Sequence, residues 1–389
     1  MTTTINNEHN KLNVPNLRFK EFQEEWEKCR LGDVCTFLSG GTPKIDVKEY
    51  WNGTIPFVSA ISMHDTYILD SKLHISEEGL KHGSRLLTKN NLLLLVRGSM
   101  LWNTIPICLN KNDVAFNQDV KGIIANDTIN NEFLLYWLKS KEQRLKYMVT
   151  GTGLGAGKLD TSDLLSMIVY IPAMKEQDKV ARLLSLFDER IATQSKIIED
   201  LKKLKSAISK KLLCNDKWTT YKIQDIAEIG RGRVISSVEI DRQKHPLYPV
   251  YSSQTSNNGI MGYLDNYMFD GEYITWTTDG ANAGTVFYRI GKFNCTNVCG
   301  TLKILPKFDC YFVSLVLQQA TQKYVSSNLA NPKLMNNTMA SIKIRMPNIE
   351  TQKQLSKVFQ TLDSCLLVHQ RTCKMYLSEK QYLLRQMFI

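Results

Sequence analysis

Ile171-Pro172-Ala173-Met174-Lys175-Glu176-Gln177 opens a long apolar-periodic run that ends at Lys211-Leu212-Leu213. The chain contains that pattern twice. Met346-Pro347-Asn348-Ile349-Glu350-Thr351-Gln352 opens the second run, which ends at Gln386-Met387-Phe388. Moving along the chain by 175 positions carries Pro172 onto Pro347, Gln177 onto Gln352, Asp188 onto Asp363 and Leu213 onto Phe388. Both runs place apolar residues at alternating steps of three and four, the spacing that lays one stripe of a helix against a neighbouring helix. The first seam is Val180, Leu184, Phe187, Ile191, Gln194, Ile198, Leu201, Lys205, Ile208 and Leu212. The second is Leu355, Phe359, Leu362, Leu366, His369, Cys373, Tyr376, Lys380, Leu383 and Met387. The polar interruptions coincide, Gln194 with His369 and Lys205 with Lys380. Polar groups on such a seam lower stability but fix register and partner. A single amphipathic helix would say little; two that agree in leading proline, seam and interruptions are an internal duplication.

The duplication extends upstream. A step of 192 carries Trp26, Leu31, Asp33 and Val34 onto Trp218, Ile223, Asp225 and Ile226. The step falls from 192 to 175 inside each globular part, so the second copy is shorter by 192 − 175 = 17 residues. The ends agree while the middles differ: a repeated frame carries two different inserts. The expected organisation is an N-terminal extension (1–25), a first globular domain (26–171), a central spacer helix (172–214), a second globular domain (215–346) and a C-terminal spacer helix (347–389). The fold class is α+β, with two mixed α/β domains joined by two long antiparallel helices in a pseudo-two-fold duplication. In the first insert, 55–61 and 92–96 read as strands, and 131–148 has helical spacing. In the second, 248–251, 273–277 and 285–288 read as strands separated by Asn/Gly turns such as Asn257-Asn258-Gly259, with a helix over 311–324.

A chain of 389 residues can hold two or three domains with ample cores. Its 43% hydrophobic and 22% charged content is that of an ordinary soluble globular protein. No run of eighteen apolar residues exists and residues 1–13 lack the apolar core of a signal peptide, so the expected location is the cytoplasm, with no membrane partner. The net charge of +11 favours an anionic partner, nucleic acid first. Nine scattered cysteines in such a compartment are expected reduced and largely buried. Cys295 and Cys299, with Cys310 beyond, lack the second close pair or histidine that would complete a zinc site, so no metal is expected.

Catalytic constellations are missing. The glycine-rich 151–157 follows a helical pattern rather than a strand, and no Lys-Ser/Thr pair ends it, so it does not fit a nucleotide loop. Asp46-Val47-Lys48 lacks the Pro-Asp partner of a nuclease carboxylate set. Asn331-Pro332-Lys333-Leu334 is not the Asn/Asp-Pro-Pro-aromatic turn of base methylation. What remains is loops with basic and amide side chains. Candidates for DNA contact are Lys44, Arg97, Asn117, Gln118 and Lys158 in the first insert. In the second they are Arg231, Arg233, Gln254, Asn257, Asn258 and Lys333. Arg and Lys hold phosphates or read guanine, and Asn and Gln suit the adenine edge. Lys158 and Lys333 coincide under the step of 175. Trp102 and Trp276 are read as core residues rather than base-stacking platforms.

Several motifs together resemble a known family. They are Pro15-x-Leu17-Arg18-Phe19 with Trp26 and Leu31-Gly32-Asp33-Val34, then Gly40-Gly41-Thr42-Pro43-Lys44, then Tyr50-Trp51 with Ile55-Pro56-Phe57-Val58. Phe116-Asn117-Gln118-Asp119-Val120 and the Ile-Pro…Glu-Gln…Leu-Leu-Ser-Leu-Phe-Asp-Glu-Arg-Ile run of 171–191 complete the set. The chain resembles the DNA-specificity subunit of type I restriction–modification enzymes over nearly its whole length. The second copy departs at Gly230-Arg231-Gly232-Arg233, which lacks the Gly-Gly-Thr-Pro turn, and has Asn294-Cys295-Thr296 in place of Asn117-Gln118-Asp119. That resemblance implies two target recognition domains, each reading half of a split target in double-stranded DNA, in a subunit without catalysis of its own. It implies two modification subunits that bind S-adenosylmethionine and methylate adenine, and two restriction subunits whose motor and nuclease use ATP and Mg. The cofactors then belong to those partners, and none to this chain. As a helix, 176–213 spans about 57 Å at ~1.5 Å per residue, against a B-DNA repeat of about 34 Å. Such rods hold two readers at most about one and a half turns of DNA apart. A self-contained methyltransferase or nuclease with degenerate motifs is the alternative, and a coiled-coil adaptor that binds only protein is a third reading.

Overall fold

The computed structural model describes residues 2–3, 13–153, 155–213, 216–326 and 331–389. The chain divides into two compact units. The first holds Met1–Ser195 with Arg371–Ile389, and the second holds Lys196–Gln370.

In the first unit, Glu27–Arg30 pairs antiparallel with Ile168–Ile171. The chain then turns through Leu31–Val34 into Cys35–Ser39, the edge of a five-stranded sheet. Across that sheet follow Val120–Ala125, Leu92–Leu95, Ile107–Asn110 and Tyr67–Ile68. Leu92 through Leu95 are all buried, as the continuous apolar run requires of a central strand. A four-stranded sheet stands beside it in the order Leu73–Ile75, Ile55–Val58, Val114–Phe116, Leu86–Leu87. Helix α1 (Asn131–Ser140) starts at Asn130, whose side chain accepts from the Glu132 and Phe133 amides. Its Phe133-to-Leu138 face is buried in the core. The 131–148 pattern continues only as a separate helix, Glu142–Tyr147.

Beyond Ile171 the chain enters α2 (Met174–Leu212), 39 residues without a break. No glycine or proline interrupts 174–212, so every backbone amide past the first turn has its carbonyl partner.

The second unit repeats the plan. Thr219–Lys222 pairs with Lys343–Met346, and the turn Ile223–Ile226 leads into Ala227–Arg231. The main sheet runs Ala227–Arg231, Cys299–Ile304, Glu272–Thr277, Val286–Ile290, one strand fewer than its counterpart. The smaller sheet is Ile260–Leu264, Tyr248–Tyr251, Asn294–Cys295. Helix α3 (Cys310–Ala320) occupies the place of α1. The chain then enters α4 (Ile349–Gln386), 38 residues long.

Equivalent contacts hold both copies. Trp26 meets Phe133 edge-on at 5.8 Å and 64°, and Trp218 meets Phe312 at 5.9 Å and 61°. Gln177 Nε2 donates to the Pro172 carbonyl at 2.9 Å while its Oε1 accepts from the Asn130 amide at 2.7 Å. Gln352 does the same with Pro347 at 2.8 Å and the Asp309 amide at 2.9 Å. Each buried glutamine thus ties the start of a long helix to the start of its domain's helix. That explains why Pro172–Gln177 and Pro347–Gln352 recur at one spacing.

The seam lysines have carboxylate partners. In the first unit Lys380 of α4 pairs with Asp188 of α2, and the Tyr136 hydroxyl donates to the same Asp188 at 2.9 Å. In the second, Lys205 of α2 pairs with Asp363 of α4, and the Tyr311 hydroxyl donates to Asp363 at 2.6 Å. Residue 188 lies against 380 and residue 205 against 363, so α2 and α4 pack together in opposite directions. The same Lys–Asp–Tyr contact thus occurs once in each unit. Phe187 meets Tyr376 edge-on at 6.2 Å. Leu184, Phe359, Leu366 and Leu383 are buried, while Ile191, Ile198, Leu201, Leu362 and Tyr376 are half-buried. At the end of α2 the seam fails by one residue: Leu212 is 36% exposed and Leu213 is buried in its place.

Candidate nucleic-acid interface

The candidate residues of the first unit stand on loops laced together by backbone hydrogen bonds. In the turn before Lys44, the Gly41 amide donates to Phe116 O at 3.0 Å, and Thr42 Oγ1 donates to Gln118 Oε1 at 2.7 Å. A β-carbon on Gly40 would collide with the Phe116 and Asn117 carbonyls, so only glycine fits there. The Lys44 carbonyl accepts from Trp51 Nε1 at 3.0 Å, and the residue is exposed. The Asn117 amide donates to Val58 O at 3.1 Å, and the Asp119 carbonyl accepts from the amides of Val96 at 2.9 Å and Arg97 at 3.3 Å. Next comes a small antiparallel patch in which Arg97 faces Lys158 and Lys158 faces Thr150. Lys44, Asn117, Gln118, Arg97 and Lys158 therefore lie along one connected loop edge. The glycine-rich segment closes this patch as a hairpin between Thr150–Gly151 and Gly157–Lys158, not as a phosphate-binding loop. Asp160 caps the following helix, and the hydroxyl and amide of Ser162, then Lys158, hold its carboxyl down at about 2.

The second unit uses the same lattice with different side chains. The Gly232 amide donates to Cys299 O at 3.1 Å and the Arg233 amide to Cys295 O at 3.2 Å. Gly232 lies against the Cys295 and Thr296 carbonyls just as Gly40 lies against those of 116 and 117. The Thr296 amide donates to Tyr251 O at 2.9 Å, the counterpart of Asn117 on Val58. Arg231 is exposed, and its Nε donates to Asn297 O and its Nη2 to Thr278 Oγ1 at 3.2 Å. Arg233 forms a two-pronged pair with Glu239. Gln254 Nε2 donates to Ile260 O, so Gln254 braces its own loop. Asn257 and Asn258 are exposed, both left-handed at φ 48° and 53°, a conformation that asparagine tolerates. Lys333 lies 3.9 Å from Asp279. Of the second set, Asn257 and Asn258 are the side chains most open to a ligand. Arg231, Arg233 and Gln254 also make hydrogen bonds within their own unit, and the two arginines stay exposed.

Two features were not legible beforehand. Trp102, expected in the core, is 50% exposed, with its Nε1 donating to Gly155 O at 3.0 Å. Trp276 is buried as expected, its Nε1 held by Leu334 O at 2.9 Å. Arg289 is buried between the rings of Tyr251 (3.5 Å from the centroid) and Phe287 (4.4 Å), with Nε on Thr275 Oγ1 at 3.1 Å. It supports the 252–259 loop from beneath, 3.1 Å from where a β-carbon on Gly259 would stand. One arginine in an apolar strand gives no sequence signal for such a role. Among the described residues no cluster of His, Cys, Asp or Glu could hold a metal ion. Burial pushes the Cys299 thiol up to about 11.

A family model described as the type I restriction modification DNA specificity domain matches residues 23–203 and again 215–374. The chain belongs to this family. It is a DNA specificity subunit of a type I restriction–modification system, part of a larger assembly whose catalysis lies in partner subunits. The chain is 42% identical over 145 residues to the type I restriction enzyme MpnII specificity subunit of Mycoplasma pneumoniae, covering 37% of this chain and 43% of that one. It is 31% identical over 174 residues to the EcoR124I/EcoR124II specificity subunit of Escherichia coli, covering 44% and 43%. The crystal structure of a type I restriction–modification S subunit from M. genitalium has the same fold, with TM-score 0.72 at 19% identity, covering 97% of this chain and 99% of that chain. Among the described residues no helix is long and apolar enough to cross a membrane.

Proposed function

We propose that this specificity subunit reads a split target in double-stranded DNA, one half with domain 26–171 and the other with domain 215–346. In this reading the helices of 172–214 and 347–389 set the length of the unread gap. The observation that carries it is the pair of equivalent loop lattices bearing unlike side chains. One backbone frame presents Lys44, Arg97, Asn117, Gln118 and Lys158 in the first unit. The same frame presents Asn257, Asn258 and Lys333 in the second, with Arg231, Arg233 and Gln254 bracing it. Equivalent frames with different readers suit two different half-sites, because the backbone fixes approach while the side chains select bases. The reciprocal Lys–Asp–Tyr contacts on α2 and α4 support docking of two copies of one modification subunit, since like surfaces recruit like partners. Two restriction subunits complete the assembly, and S-adenosylmethionine, ATP and Mg act in those partners. The test is to map methylated adenines in DNA from cells with and without this chain. The expected outcome is one two-part motif with a constant gap that vanishes with the chain; continuous motifs, or methylation that persists, would refute the reading.

A further inference from the structure

Two rows of three side chains, one in each unit, share a backbone and differ in charge. In the first unit Arg97 faces Lys158 and Lys158 faces Thr150, all three exposed. In the second, Asp279 bridges to Lys333 and Lys333 to Ser326. The Leu159 amide donates to Val96 O at 2.8 Å, and the Leu334 amide to Thr278 O at 2.9 Å. Thr150 Oγ1 donates to the Lys158 carbonyl at 3.3 Å, and Ser326 Oγ to the Lys333 carbonyl at 3.3 Å. Only the position facing the lysine changes sign.

Cross-strand neighbours stand roughly 5 Å apart at Cβ, and like charges directly opposite one another repel. The first row carries that conflict. Asp160, 3.3 Å from Lys158, answers one of its two cations, and it is also engaged by the amide and hydroxyl of Ser162. Among the described residues the Arg97 guanidinium has no side-chain partner, so the row keeps one uncompensated positive charge. In the second row Asp279 answers Lys333, and Met335 stands where the first has Asp160, so the row is neutral. The first row is also held firmly. On its reverse face Gly98, Gly157 and Gly151 lie in register. There a β-carbon on Gly157 would collide with the Val149 side chain and crowd Leu101, and one on Gly151 would just reach the Trp102 ring. A guanidinium and an ammonium side by side on one exposed face form a donor pair that matches a phosphate group, while the Thr150 hydroxyl is spent on the Lys158 carbonyl and ties the two strands together.

We propose that Arg97 and Lys158 form a seat for a DNA backbone phosphate, and that Asp279 blocks the equivalent seat in the second unit. The first domain then grips the backbone with one contact more than the second, whatever the base sequence. This rests on the DNA-reading function proposed above. The test uses the full chain co-expressed with its modification partner. Its binding is followed on a duplex carrying the mapped target and on a scrambled duplex, between about 50 and 200 mM salt. Arg97→Gln should flatten the slope of log K against log salt by about one on both duplexes, so the loss across that range shrinks about fourfold. Asp279→Asn should tighten binding and steepen the slope on both, and Lys333→Gln should abolish that gain. Melting curves that match wild type establish that the variants are folded. An unchanged slope in Arg97→Gln, a defect confined to the target duplex, or unchanged binding in Asp279→Asn would overturn the seat. Wild type that binds neither duplex would instead refute DNA reading itself.

Discussion

Removing Asp188 should cost far more than removing its duplicate, Asp363. Both carboxylates take one lysine from the opposite long helix and one tyrosine hydroxyl from their own domain. They differ in burial. The Lys380 and Asp188 side chains are 11% and 13% exposed, whereas Lys205 and Asp363 are 26% and 40% exposed. Asp188→Ala leaves a buried ammonium without its counter-charge, against the face of the Tyr136 ring at 5.3 Å. Breaking a buried pair from one side costs about 3–5 kcal/mol. Around Asp363 water replaces much of the lost partner, and the expected cost falls to about 1–2 kcal/mol. Replacing both partners, Asp188→Leu with Lys380→Met, should recover most of the loss, because no unpaired charge remains. Urea unfolding followed by tryptophan fluorescence measures all three variants. The fluorescence reports on both units, since Trp26 and Trp137 lie in one core and Trp276 in the other. Equal losses for Asp188→Ala and Asp363→Ala would refute the reasoning, as would a double variant no more stable than Asp188→Ala.

Three further outcomes can be measured. Inserting about four helical residues into α2 between 194 and 205 adds ~6 Å, nearly two base pairs at ~3.4 Å each. The methylated motif should gain gap length with both half-sites unchanged, and altered half-sites would end the ruler idea. Lys139 is depressed to about 8 by burial and then by Lys380, while its Nζ donates to Thr66 Oγ1 at 2.7 Å. Between about pH 8 and its ordinary 10.5 the unfolded chain holds a proton that the folded chain has released, so raising pH favours the fold there. Lys139→Met should therefore be more stable than wild type at pH 7, by a margin that narrows towards pH 10; a constant margin in thermal melts would count against it. Gly40→Ala and Gly232→Ala each force a β-carbon onto backbone carbonyls and should displace the reading loops. DNA affinity should fall at least tenfold, about 1.4 kcal/mol, with far-UV circular dichroism unchanged; unaltered affinity would show that those loops do not touch DNA.

The amino-acid sequence alone determined the duplication, the α+β class and the two long helices. Those features rest on local periodicity and on prolines and glutamines whose partners lie within a few residues, as Gln177 does to Pro172. It also singled out the loops: Gly40 sits where a β-carbon would meet the Phe116 and Asn117 carbonyls, and Gly153 and Gly155 take positive φ. Which candidate side chains stay open was decided only in three dimensions. Arg231 and Arg233 read as DNA contacts in one dimension, and the fold adds that Asn297 and Glu239 engage them while both stay exposed. Arg97 and Lys158 look like two scattered cations until antiparallel register sets them face to face. The seam lysines tell the same story: Lys380 finds Asp188 across 192 residues and Lys205 finds Asp363 across 158. Charge pairing acts through space and depends on burial, so it is settled only when distant segments meet.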